Sequence, residues 1–270
     1  MIDKDSVDIA KEVTKEIAKD VYNDTGKPIL QPTGELVGLI PRAIKAALGP
    51  LEKWVLQKEY NIEETKRLLE NKLQNVNPEM IEAPEPYIAV PALQSISYCM
   101  DNEELRNMYA NLLANSMNKV VKKGVNPGFV EIIKQLCTDE AKLLNYLHIN
   151  EKIPTISFIA HQHIGGFSVI KKGFTNATEL CGCENPFEYE KYIDNLVRLG
   201  LLRRSNRERL INEKLYEPLN THPYITRLKE QIEANEEMNN RIKEIELSKG
   251  FIELTSFGKG FCLICLNAKE

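Results

Sequence analysis

The sequence predicts a mainly α protein, with an N-terminal helical bundle followed by a smaller C-terminal α+β domain. Two observations carry that expectation. Up to about residue 150 apolar residues recur at helical spacing in one segment after another, separated by Pro- and Gly-rich breaks. From Ile153 the pattern changes to β-branched apolar runs, IPTISFI first and then Phe167 to Ile170. The boundaries expected are 1–150 for the helical domain and 151–270 for the second.

Residues 6–22 set Val7, Ala10, Val13, Ile17 and Val21 on one face, an amphipathic helix that Gly26, Pro28, Pro32 and Gly34 bring to an end. The stretch from Glu35 to Leu56 reads as two short helices, because Pro41, Gly49 and Pro50 interrupt its apolar stripe. A further helix spans Asn61 to Val76. A connection crowded with Pro78, Pro84, Pro86 and Pro91 follows, and then a helix from Ala92 to Cys99.

The stretch around which the first domain is organised is Asp101 to Val121, DNEELRNMYANLLANSMNKVV. Leu105, Met108, Tyr109, Leu112, Leu113, Met117, Val120 and Val121 make its core face, Asp101 with Glu104 can cap its start, and Lys122 to Gly124 mark its end. Asn107, Asn111 and Asn115 recur every four residues on the other side. Asparagine lowers helix propensity, so the stripe is expected to be an interface, with a neighbouring helix or with a second subunit. Pro127 opens the next helix, to Leu136, and Thr138 starts another through Leu147.

The second domain reads as winged-helix-like. A helix containing YEKYIDNLVRLGLL stops at Gly200 and passes into an extended segment from Leu201. GFIELTSFGKGFCLICL then supplies a returning strand, a turn at Ser256 to Gly260 and a second apolar strand. Glu230 to Ser248 is expected as a charged helix inserted at the wing.

Composition narrows the functional classes. The chain has 270 residues, 43% hydrophobic and 27% charged, with net charge −4. That is the profile of a globular protein without a general field for nucleic acid. The N-terminus carries charges where a signal peptide needs an apolar run, and no 18-residue apolar stretch occurs. Six cysteines without an export signal then suggest a cytoplasmic protein with reduced thiols.

No phosphate loop, nucleophile elbow, dinucleotide fingerprint or HExxH motif is present, so neither an enzyme nor a cofactor is expected. Glu140-Ala141-Lys142 matches a nuclease-like ExK, but it falls in a first helical turn, where acids suit the helix dipole. Cys181, Cys183, Cys262 and Cys265, with His161 and His163 upstream, are weak metal candidates. The last two cysteines sit in an expected strand, where an i, i+3 pair points to opposite faces. Arg198, Arg203, Arg204, Arg207 and Arg209 form the one basic cluster and are the nucleic-acid candidates, opposed by Glu188, Glu190 and Asp194. The apolar face of residues 36–56, with Trp54, could pack in a core or lie on a membrane as a toxin would.

The run ELRNMYANLLANSM, then NPGFVEIIKQLCTDEAKLL, then LTSFGKGFCLIC resembles the abortive-infection alpha proteins of bacteria, over roughly residues 35–265. The resemblance implies a bacterial protein tied to phage defence and transfers no catalytic residue. The expectation is therefore a binding or sensing protein that acts on a protein partner or on a second copy of itself. A nucleic-acid-binding regulator and a membrane-acting toxin are the alternatives.

Overall fold

A computed structural model describes residues 59–266. The expected helices at 6–22 and 36–56 lie outside them. The chain divides into two compact units, one running to Leu136 with Leu263–Asn267 added, the other from Cys137 to Cys262.

The first unit is helical where it is described. Its elements are α1 (Glu59–Leu73), α2 (Pro86–Ile96), α3 (Glu103–Met117) and α4 (Gly128–Ile133). Leu69 and Leu73 of α1, Ala92 and Ile96 of α2, Met108, Leu112, Leu113 and Met117 of α3, and Phe129 and Ile133 of α4 are buried. Each large apolar side chain so buried contributes roughly 1.5–3 kcal/mol. The central helix differs at both ends from the expected Asp101–Val121. Its N-cap is Asn102, whose side chain accepts from Leu105 N–H at 3.0 Å, one residue past Asp101. It stops at Met117 because Asn118 turns extended and bridges to Ile81. Helix α2 begins earlier than Ala92, with Pro86 in its first turn where a proline costs nothing.

The second unit wraps helices around a four-stranded antiparallel sheet of order β2-β1-β4-β3. In chain order it contains α5 (Thr138–Asn150), β1 (Lys152–Gln162), β2 (Phe167–Phe174), α6 (Ala177–Leu180), α7 (Tyr189–Arg198), β3 (Leu202–Ser205), α8 (Glu217–Asn220), α9 (Pro223–Ala234), α10 (Glu236–Arg241), β4 (Ile242–Leu254) and α11 (Ser256–Cys265). The end of α11, from Leu263, belongs to the first unit. Strand β4 pairs with β1 from Lys152↔Glu253 to Gln162↔Ile242, and with β3 from Leu202↔Leu254 to Ser205↔Phe251. Ile156 and Phe158 of β1, Phe174 of β2, Tyr189, Ile193 and Leu196 of α7 and Ile252 of β4 are buried in its core. Tyr216 ties the 206–241 segment to the sheet: its hydroxyl donates to Gly250 C=O and accepts from Leu210 N–H, both at 2.9 Å.

Two expectations are corrected here. Residues 256–265 form a helix, not a turn and strand. Thr255 accepts from Gly258 N–H at 2.9 Å and donates to Gly200 C=O at 2.6 Å, so it caps α11 and fixes its start. Gly258 then passes so close to Leu201 that an added Cβ would lie 2.0 Å from the Leu201 carbonyl oxygen. Nor is 230–248 one charged helix: from Ile242 it is strand, along β1.

Candidate functional site

The asparagine stripe sits on α3 in the first unit. Asn111 Nδ2 donates to Cys265 C=O at 3.0 Å, and Asn115 Nδ2 donates to Ile264 C=O at 2.8 Å. Those carbonyls lie in the last turn of α11, where a helix commonly takes donors from outside itself. Short amides from α3 supply donors there. Asn107 is half-buried one turn earlier.

In the second unit the polar centre is Asp139, buried in the first turn of α5. Its carboxylate accepts from Glu184 N–H at 2.9 Å, Asn185 N–H at 3.1 Å and Tyr192 O–H at 2.8 Å. Burial opposes its charge, yet these three donors outweigh burial and hold the carboxyl below its ordinary value. Burial together with Asp139 pushes the Tyr192 phenol well up. Glu140, the acid of the ExK match, is equally occupied. One oxygen accepts from Cys137 N–H and the other from Asn195 Nδ2, both at 2.8 Å. In sequence Glu140 reads only as an acid suited to the helix dipole, and nothing singles out Asp139. That Asp139 organises a loop more than forty residues away is a tertiary fact with no local signal.

The loop that Asp139 holds carries Cys181-Gly182-Cys183. The two thiol sulfurs are 3.5 Å apart. The hydrogen bond between them lowers the Cys181 thiol, while the same bond together with burial raises Cys183. Cys183 also lies 3.5 Å from Asp139 C=O, and Lys142 Nζ donates to Gly182 C=O at 3.0 Å. Cys262 and Cys265 lie on α11, where both are buried, and burial pushes Cys262 up to about 12. Among the described residues no group of three or more His, Cys, Asp or Glu is placed to hold a metal ion. His161 bonds Glu246 at 2.9 Å across β1 and β4, and His163 is exposed in the β1–β2 turn.

The arginines are matched within their own unit. Arg203 pairs with Glu253 and Glu208, Arg204 with Asp194 at 2.8 Å, and Arg209 with Glu213 at 3.6 Å. Arg198 donates to Asn195 Oδ1 at 2.7 and 3.0 Å, and Arg207 is exposed. Lys171 also pairs with Glu190 at 3.6 Å, so the acids of α7 meet intramolecular cations.

An exposed apolar edge, absent from the candidates read from sequence, is the remaining feature. Strand β2 ends the sheet, and the β1–β2 turn with the start of β2 presents Ile164 (94% exposed), Phe167 (64%) and Val169 (49%). The run's apolar character is visible in sequence; that it lies at a sheet edge is not.

Against this geometry, the family model for abortive infection alpha matches residues 57–265, most of the chain. The chain belongs to the abortive infection alpha family. Membership points to abortive-infection phage defence. Every site described above lies within the span matched to abortive infection alpha, and the 36–56 stretch lies wholly before it. A solved structure of an uncharacterized protein from the marine bacterium Alcanivorax borkumensis is similar at 15% identity. It covers 52% of this chain and 92% of its own, with a TM-score of 0.35. No curated protein matches significantly. Among the described residues no helix is long and apolar enough to cross a membrane.

Proposed function

We propose that this abortive infection alpha protein acts in phage defence by binding a partner protein rather than by turning over a substrate, and that an extended segment of the partner adds to the free edge of β2. The observation that carries the reading is that edge. Among the described residues β2 has β1 on one side and no strand on the other, with Ile164, Phe167 and Val169 exposed along it. An exposed apolar edge strand invites aggregation, and proteins usually blunt it with charge, proline or a cover; Lys171 and Lys172 do this for the second half of β2, while Phe167–Ile170 carry no charge. Its retention fits strand addition, in which main-chain hydrogen bonds give affinity and alternate side chains give specificity. The acids that a nuclease would need for metal are committed instead to protein donors, which supports a non-catalytic role.

The finer fold reading belongs to the same proposal. The second unit is a winged-helix variant. Its support is the order α5, β1, α6, α7, β3, β4 and the adjacency of β1, β4 and β3, with β2 and the 206–241 segment added. The first unit is a helical bundle around α3. Nucleic-acid binding through α7 is the less favoured use, because four of the five arginines already have partners in the same unit.

The test is co-purification from phage-infected cells with wild type and with Phe167→Glu/Val169→Lys, scoring each against plaque counts. A partner retained by wild type and lost by the variant, together with lost protection at unchanged melting temperature, supports the proposal. Full protection by the folded variant, or turnover of nucleic acid by the purified protein, overturns it.

A further inference from the structure

We propose that Cys181 and Cys183 are a redox-active dithiol that closes to a disulfide within its own loop by exchange with a small-molecule disulfide of the glutathione class. The two sulfurs stand 3.5 Å apart, against about 2.05 Å for a bonded pair, so closure needs a shift of roughly 1.5 Å. The residue between them is glycine, at φ +70°, with nothing within 4 Å of the position a Cβ would take. The turn is thus free to tighten. It is also held at both ends. Behind it, Cys181 N–H and Cys183 N–H donate to Ala177 and Thr178 C=O at 2.9 Å. Ahead of it, Glu184 and Asn185 N–H are fixed on Asp139. Such framing keeps the two thiols together instead of letting each drift into solvent. Both are half-buried, within reach of a small disulfide.

The exchange balances in two steps. The Cys181 thiolate attacks one sulfur of the small disulfide, breaking its S–S bond, and expels one small thiolate, which takes a proton from water. Cys183, losing its proton to solvent, then attacks Cys181 Sγ and expels the second small thiol. Two protein thiols are oxidised and one small disulfide is reduced to two thiols. Once closed, Cys183 has no S–H to offer Asp139 C=O, so the start of α5 loses one contact.

Trypsin releases both thiols in one peptide, Gly173–Lys191, which holds no other cysteine. The folded full-length protein is equilibrated in a series of reduced and oxidised glutathione, quenched, alkylated and mapped by mass. The expected result is this peptide becoming lighter by two hydrogens and refractory to alkylation, reversibly with dithiothreitol, while the lone exposed Cys137 instead gains glutathione. In Cys183→Ser the glutathione adduct at Cys181 should accumulate at least tenfold over wild type, because nothing resolves it. A wild-type peptide that stays alkylated across the series, or carries stable glutathione at the level of Cys183→Ser, overturns the proposal.

Discussion

Asp139 is the residue whose removal should report most on the second unit. Its carboxylate is the acceptor for one buried hydroxyl and two loop N–H groups, joining α5 to residues 184–192. Alanine there leaves Tyr192 O–H without its partner in a buried setting, at roughly 2 kcal/mol. Glu184 and Asn185 are exposed, so water can reach their N–H groups, at about 0.5 kcal/mol each; the sum is about 3 kcal/mol. Asparagine keeps one acceptor oxygen but turns an NH₂ toward a donor, at about 2 kcal/mol. Because the chain has two units, a single melting curve need not be two-state, so hydrogen exchange read by peptide is the suitable assay. Amides across 183–198 that exchange through opening of the second unit should speed up by about a hundredfold in Asp139→Ala. The pH dependence has a definite sign. The folded carboxyl titrates below its ordinary value of 3.8, so its stabilisation is complete above that value and is lost as pH falls through the lower folded one. Exchange in Asp139→Asn within threefold of wild type would refute the view that this carboxylate holds the loop.

Asn111→Ala should destabilise the first unit by about 1 kcal/mol, since it removes a buried hydrogen bond to the end of α11, and Asn115→Ala, half-buried, by less; urea unfolding of each checks this. Gly258→Ala should cost about 3 kcal/mol or more, seen as a melting-temperature drop, because its Cβ would press on backbone at Leu201 rather than on a side chain that can move. Duplex DNA should bind weakly, with Arg207→Ala changing the salt slope little; a steep slope abolished by Arg203→Ala would restore the nucleic-acid reading.

How much of this could be read from the sequence depends on how local its cause is. The helical periodicity of 103–117 and the β-branched run at 153–159 are local, and the structure has a helix and a strand there. The end of the YEKYIDNLVR helix was visible too, because Gly200 takes φ +74°. Residues 256–265 do not look helical in sequence because Gly258 and Gly260 depress helix propensity, whereas Thr255 as N-cap and the close approach of Gly258 to Leu201 decide the matter in three dimensions. At 242–248, Ile245 and Leu247 alternate with Glu244 and Glu246, a period of two that the surrounding charge concealed. Of the sites, the regular asparagine spacing was visible, but its partner, the last carbonyls of α11, lies about 150 residues away in the chain. The Asp139 hub depends on such long-range pairing; β1 and β2 form a local hairpin, but that β2 stays at the edge follows from distant β4 taking the other side of β1.

The most direct test of the central claim is site-specific photocrosslinking from position 167 during phage infection, with the same probe at exposed Lys172 and at Val120 of the first unit as references. A binding function through the β2 edge predicts one discrete crosslinked partner from 167, formed on infection and absent from 120. Crosslinks from 167 that are no more frequent or discrete than those from 120, in cells still protected against phage, would contradict it.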